Sequence, residues 1–205
     1  MRELAQGVSH WPHYLNADQQ QCLVDEIFAL AKEAPLYRAG MPRSGQLLSV
    51  EMTNFGDLGW YSDAAKGYRY EAGHPLTRAA WPPIPTKVLA IWEHTTGYLA
   101  PPEACLVNLY RSGARMGLHR DQDEKALDAP VLSISLGDQA LFRFGPARAR
   151  ASTQTIMLES GDVLVFGGPA RLMFHGIDRV YAGTSALIPG GGRINLTLRR
   201  VTIPQ

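Results

Sequence analysis

Cysteine is scarce in this chain. Cys22 and Cys105 are the only two, and they form neither a CxxC pair nor a disulfide framework. That excludes a cysteine-built zinc cluster and fits a reducing compartment. Long apolar runs are missing as well. No run of ~18 apolar residues occurs, the length a spanning helix needs. The first residues, MRELAQGVSHWPHYL, hold no apolar stretch of signal-peptide length. Charge of one sign is also lacking. With 20 Lys plus Arg against 19 Asp plus Glu, no global basic field exists, so any nucleic-acid contact must be local. The expectation is a soluble cytoplasmic protein.

What the chain does have is apolar content of 45%, with 20 glycines and 14 prolines in 205 residues. That suits one domain with a real core and many turns. Residues 1–40 read as a helical extension: Asn16 or Asp18 caps a helix through QQQCLVDEIFALAKEAP, which Pro35 ends. Residues 41–83 are rich in Gly, Pro and aromatics, with a hairpin expected around LLSVEMTNFGDLGWYS and a turn near Lys66–Gly67. From residue 84 a second helix, PTKVLAIWEHTTG, precedes seven short segments of strand period: ACLVNLY, PVLSISLG, ALFRFG, TQTIMLES, DVLVFGG, RLMFHGI and RINLTLRRV. The fold class expected is α+β, mainly β: a double-stranded β-helix, or jelly roll, with flanking helices.

The chemistry gathers in the second half. His119-x-Asp121 is followed by His175 and then by Arg193 and Arg199. Two imidazoles and one carboxylate hold three corners of a metal and leave the others open, the ligand set of non-haem Fe(II) oxygenases. Residues i and i+2 of a strand share a side, so His119 and Asp121 can reach one ion, with His175 brought from across the barrel. His10, His13, His74 and His94 lack such a context and read as structural or surface residues.

Competing readings of the same residues fail. His119-Arg120-Asp121 mimics a kinase catalytic loop, but the required Asn falls on Ala126 and no glycine-rich loop precedes it. Asp121-x-Asp123 as a calcium loop would need Gly at Ala126 and Glu at Leu132. A structural zinc site has no fourth ligand. In RINLTLRR, alternation puts Arg193, Asn195, Thr197 and Arg199 on one face. The two arginines, ~20 Å apart along a strand at ~3.3 Å per residue, must address different ends of the site. Guanidinium pairs with carboxylate in a fixed fork, which suits a dicarboxylate co-substrate. Asn108 and Tyr110 are likewise i and i+2.

NLYRSGARMGLHRDQDE, PVLSISLG, FRFG, GDVLVFGG, RLMFHGI and RINLTLR resemble, in order, the AlkB family of Fe(II)- and 2-oxoglutarate-dependent nucleic-acid dealkylases. The resemblance implies iron on His119, Asp121 and His175, and 2-oxoglutarate on Asn108, Tyr110, Arg193, Asn195 and Arg199. Arg193 would meet the distal carboxylate and Arg199 the one beside the metal. TNFGDLGWYSDAAKGYRY, within residues 41–83, resembles the family's nucleotide-recognition lid. Trp60 and His119 would sandwich a flipped base, with Asp123 favouring its positive charge. Tyr68, Arg69 and Tyr70 would contact the phosphate backbone, and Arg148 would flank the base.

The expected activity is oxidative demethylation of N-alkylated bases, of the 1-methyladenine and 3-methylcytosine type, in single- or double-stranded DNA and in RNA. Fe(II), 2-oxoglutarate and O2 would be consumed or held by a monomer, releasing formaldehyde, succinate and CO2. Two alternatives stay open: a related oxygenase acting on modified tRNA or a protein side chain, and a non-catalytic binder of damaged nucleic acid.

Overall fold

A computed structural model describes residues 1–111 and 113–204. Its strands in chain order are β1 (Arg2–Ala5), β2 (Val8–Trp11), β3 (Glu51–Gly56), β4 (Gly59–Asp63), β5 (Gly67–Glu71), β6 (Ala104–Tyr110), β7 (Met116–His119), β8 (Val131–Gly137), β9 (Ala140–Gly145), β10 (Gln154–Leu158), β11 (Val163–Phe166), β12 (Phe174–Val180) and β13 (Arg193–Arg199). Helix α1 (Ala17–Leu30) lies between β2 and β3, and α2 (Thr86–Thr96) between β5 and β6. A seven-stranded sheet runs β1-β2-β11-β8-β13-β6-β3, a four-stranded sheet runs β10-β9-β12-β7, and β4 pairs with β5 alone.

The two larger sheets face each other as a jelly roll. Phe166 of β11 meets Phe142 and Phe144 of β9, with ring centroids 5.9 and 6.2 Å away. Val131, Leu164 and Ile177 complete that inner core. On the outer face of the large sheet, α1 packs Leu23, Val24 and Ile27, and α2 packs Val88, Ile91 and Trp92, against Ile194, Leu196 and Leu198 of β13. Each buried aliphatic of that row contributes ~1.5–3 kcal/mol. The pleat then forces Arg193, Asn195, Thr197 and Arg199 to the opposite, inner face. There they are buried between the sheets, where a solvated face would have left them exposed.

Local chemistry fixes the helices. Asn16 Oδ1 accepts from the Gln19 N–H at 2.9 Å while Gln19 Oε1 accepts from the Asn16 N–H at 2.9 Å, a complete capping box. Helix α2 ends at Gly97 in the left-handed region, φ 63°. Helix α1 stops at Leu30, short of Pro35. Ala34 is buried, and its carbonyl accepts from Thr53 Oγ1 at 2.8 Å, a bond that docks the segment on β3.

Three expectations need correction. Residues 1–40 are not simply helical: β1 and β2 form a hairpin whose second strand extends the large sheet along β11. Gly7, at φ 82°, makes this possible, because an added Cβ would lie 2.3 Å from the Gly167 carbonyl oxygen. The hairpin expected from β3 into β4 does not form. β3 joins the large sheet beside β6, whereas β4 pairs with β5 across the Lys66–Gly67 turn. The strand expected to carry both His119 and Asp121 ends at His119 as β7, so Asp121 lies beyond it. No helix among the described residues is long and apolar enough to cross a membrane.

Candidate active site

Between the sheets lies a cavity of about 450 Å³, lined by the inner faces of β6, β8, β12 and β13 and by residues 119–123. Within it His119, Asp121 and His175 present one ligand atom each, all within 4.8 Å of one another. His119 and His175 are direct partners in the β7–β12 ladder, rings 4.6 Å apart. They are therefore neighbours in one sheet, and His175 does not reach across the barrel. Asp121 lies just past the end of β7, so the turn brings it back to the imidazoles. Gly176 allows the two strands to approach, since a Cβ there would sit 2.6 Å from the Met116 carbonyl oxygen.

The imidazoles are oriented alike. His119 Nδ1 is 3.0 Å from the Gly117 carbonyl and His175 Nδ1 is 3.0 Å from the Met173 carbonyl. A carbonyl only accepts, so each Nδ1 carries the hydrogen and each Nε2 turns a lone pair toward Asp121. Those Nε2 atoms lie 4.0 and 3.6 Å from the Asp121 carboxylate oxygens. Burial opposes ionisation of Asp121, but Arg199, His175 and His119 outweigh it and hold the carboxyl well below the usual carboxylate range. Burial, aided by His119, pushes the His175 imidazole down to about 4. Asp121 and His175 are thus in metal-ready protonation at neutral pH.

That shift has a consequence for stability. An unfolded chain protonates His175 near its ordinary value of ~6.5, while the folded one resists until about 4. Between these values the unfolded state binds more protons, so stability falls as pH falls through that window. Urea midpoints of the metal-free protein should drop more steeply from pH 6.5 to 4 in the wild type than in His175→Gln. Parallel profiles would mean that the imidazole titrates as if in water.

Six buried polar atoms among the described residues have no hydrogen-bond partner, and all belong to this cavity: Asn108 Oδ1, Asp121 Oδ2, and Nε and Nη1 of both Arg193 and Arg199. Leaving such atoms unpaired costs ~1–3 kcal/mol each, more where charge is involved. They call for partners that the protein's own groups do not supply. The bare Asp121 oxygen between two imidazole lone pairs asks for a cation, and the four guanidinium nitrogens ask for an anion with carboxylates at separated points. Fe(II) and 2-oxoglutarate fit that donor set.

Arg199 Nη2 donates to Asp121 Oδ1 at 2.8 Å, which puts it at the metal end. Arg193 is further along β13, its guanidinium 5.3 Å from the Tyr110 ring centroid and its Nη2 donating to Ser135 Oγ at 2.9 Å. Asn195 lines the cavity, but its amide nitrogen already donates to Ser133 Oγ at 2.7 Å and its oxygen accepts from Thr197 at 2.9 Å.

At the cavity mouth the lid hairpin supplies Trp60 and Tyr68, rings stacked at 5.5 Å, and Trp60 Nε1 donates to Asp123 Oδ2 at 3.1 Å. Trp60, His119 and Asp123 all line the cavity. Of the three residues expected on the phosphate backbone, only Tyr68 lines the cavity. Arg69, on the other face of β5, is paired with Asp63 at 2.8 Å and Glu71 at 2.5 Å. The Tyr70 hydroxyl points inward and donates to Glu124. Arg148 lines the rim, its guanidinium 5.3 Å from the Phe174 ring centroid, and Arg120 approaches the same ring at 5.3 Å.

Sequence reasoning missed Arg171 and Glu124, a buried pair at 3.0 Å that braces the metal-ligand turn: Arg171 Nη1 also donates to the Asp121 carbonyl at 2.6 Å. In the sequence, Glu124 is one acid of the run DQDE, and Arg171 is one charge before a strand. Only their long-range meeting gives them meaning.

The chain matches the family described as the 2OG-Fe(II) oxygenase superfamily over residues 7–199. It is 51% identical over 196 residues to the alpha-ketoglutarate-dependent dioxygenase AlkB homolog of Caulobacter vibrioides (strain NA1000 / CB15N), covering 95% of this chain and 87% of that one. The DNA N(6)-methyladenine demethylase ALKBH1D of Arabidopsis thaliana is 41% identical over 108 residues, 48% of this chain and 24% of that protein. The solved structure of OsALKBH1 aligns with a TM-score of 0.81 at 31% identity, covering 97% of this chain and 100% of that one. An open two-histidine, one-carboxylate centre beside two arginines that each keep two unpaired nitrogens, in a chain this similar to its relatives, leads to one conclusion: the chain belongs to the AlkB family of 2OG-Fe(II) oxygenases and is a 2-oxoglutarate-dependent dioxygenase.

Proposed function

We propose that this protein removes alkyl groups from ring nitrogens of nucleic-acid bases by oxidation, in DNA and also in RNA, acting as a monomer in the cytoplasm. The observation that carries the reading is the division of one cavity into two chemistries. Its inner part holds Asp121, His175 and two arginines with unpaired nitrogens, while its mouth holds a flat indole and a carboxylate. When bound, Fe(II) with 2-oxoglutarate and O2 supplies the oxidation that places one oxygen atom on the N-alkyl carbon and the other in succinate, with CO2 released. An N-hydroxymethyl base then sheds formaldehyde and regains its N–H or neutral ring.

The chain's own residues position the partners. His119, Asp121 and His175 hold the metal. Arg199 and Asn108 suit the carboxylate beside it, and Arg193 with Tyr110 the distal one. Trp60 offers its face to a base taken out of the stack, an attraction worth ~1–2 kcal/mol for a cationic ring out of water. Asp123 meets the positive edge. At the rim, Tyr68 suits the phosphate backbone and Arg148 flanks the base.

Trp60→Ala and Asp123→Ala should lower dealkylation while 2-oxoglutarate turnover without substrate persists. A lost stack costs ~1–3 kcal/mol, roughly tenfold to a hundredfold in affinity. Asp123→Ala should hurt 1-methyladenine and 3-methylcytosine more than a neutral etheno adduct, whereas Trp60→Ala should hurt all three. Because Asp123 also fixes the indole, the double variant should lose less than the sum of the singles. Full activity of both variants on every lesion would remove the base from the mouth of the cavity. Formaldehyde release from a methylated peptide, with none from oligonucleotides, would favour the protein-directed alternative.

A further inference from the structure

The lid hairpin is fastened to the metal-ligand turn at two adjacent points. Trp60 of β4 and Tyr70 of β5 are direct partners in the hairpin ladder. They hold consecutive residues of the turn, Trp60 taking Asp123 at 3.1 Å and Tyr70 taking Glu124. The first bond is at the surface; the second is part-buried, with the Glu124 side chain only 1% exposed.

Behind Glu124 the chain of contacts continues to the metal. Its Oε2 pairs with Arg171 at 3.0 Å, and Oε1 lies 3.6 Å from Arg199 Nε, while Arg199 Nη2 donates to the ligand Asp121 at 2.8 Å. Arg171 closes the loop through the Asp121 carbonyl. Among the described residues, the charged groups paired with Glu124 are Arg171 and Arg199, both tied to Asp121. The lid reaches it only through a phenol.

We infer that the Tyr70–Glu124 bond is a strut that transmits the occupancy of the metal and co-substrate site to the nucleotide lid, making Tyr70 a positioning residue for base capture. This rests on the lid's proposed role in holding a base. The physical content is a shared ordering cost. A metal on Asp121 and a carboxylate on Arg199 fix both groups, and the turn that carries Glu124 stiffens with them. A hairpin bolted to that turn then has less order left to acquire when it closes on a base. By reciprocity, an ordered lid favours the loaded metal site.

The test is hydrogen exchange of the hairpin amides, residues 59–71, in the full-length protein with and without Mn(II) plus 2-oxoglutarate. No nucleic acid is present, so the outcome is independent of whether the substrate reading holds. Wild-type hairpin protection should rise on the order of fivefold on loading, and that response should shrink to within about twofold in Tyr70→Phe. Tyr70→Phe keeps the ring and its packing, and by reciprocity its 2-oxoglutarate affinity should fall by no more than about fivefold. Glu124→Gln, which retains an acceptor for the phenol but loses the charge link to Arg199, should abolish the response as well. A wild-type hairpin indifferent to loading, or a Tyr70→Phe hairpin that responds in full, would overturn the strut.

Discussion

His119→Ala and Asp121→Ala should both abolish 2-oxoglutarate-dependent succinate formation, yet only the second should unfold easily. The sequence alone treats the two as equivalent ligands; their surroundings do not. The His119 side chain is 40% exposed, and its hydrogen bond runs to the Gly117 carbonyl of its own strand. Removing it opens the metal site at little cost to the core. The Asp121 carboxylate is 6% exposed and is the close counter-ion of Arg199.

Without Asp121, that guanidinium stays buried with Glu124 as its nearest carboxylate, 3.6 Å away. Breaking one side of a buried pair costs ~3–5 kcal/mol. Thermal melts should therefore place His119→Ala near the wild type and Asp121→Ala well below it. Succinate at the wild-type rate in either variant would remove the triad from the chemistry. Equal melting temperatures would mean that Arg199 finds another partner.

Arg193→Met should lose 2-oxoglutarate affinity by ~2–4 kcal/mol, roughly thirtyfold to a thousandfold, without destabilising the metal-free protein. Arg193 is among the largest fully buried side chains, and two of its nitrogens lack partners. Burial lowers its affinity for a proton, opposed mainly by Tyr110. A buried cation kept without a carboxylate partner is a cost to the fold that only an anionic occupant offsets, and methionine fills similar space without it. Arg199 behaves differently: burial opposes its charge, but Asp121, Tyr70 and Glu124 outweigh it and raise its pKa. Arg199→Met should therefore cost both co-substrate binding and stability. Calorimetric titration with Mn(II) present, beside melts of the metal-free proteins, separates the two arginines. Unchanged affinity in Arg193→Met would place the distal carboxylate elsewhere.

How far the sequence carried the fold depended on whether local pattern or distant contact set each element. The two helices and the seven segments from Ala104 onward were legible because their apolar period and caps are local. Strand β13 was the clearest case: alternation alone assigned its two faces, and the helices on one side then force the arginines inward. The N-terminal hairpin was missed because four-residue strands around Gly7 carry little periodicity, and their sheet partner, β11, is more than 150 residues away. Strand β7 has only four residues, and its approach to β12 depends on Gly176 of that distant strand. β3 and β4 looked like a hairpin because they are adjacent, but β3 has six residues of pairing with β6 to gain.

The site follows the same logic. The triad and the arginines were readable from residue type, order and resemblance. Glu124, Arg171 and the inward turn of Tyr70 were not, because a buried charge network acquires its meaning only when the lid, the metal-ligand turn and the segment before β12 meet. In the sequence Tyr68 and Tyr70 look alike; in the fold one hydroxyl belongs to the rim and the other to the interior.

Succinate and formaldehyde measured together test the central claim most directly. The purified protein, with Fe(II), 2-oxoglutarate and O2, is given oligonucleotides carrying 1-methyladenine, 3-methylcytosine or an etheno lesion, beside an unmodified control. The two methylated bases should yield formaldehyde and succinate in equal amounts, well above the control, with the unmodified base restored. Background succinate with every methylated oligonucleotide, or succinate without formaldehyde on both methyl lesions, would contradict the account.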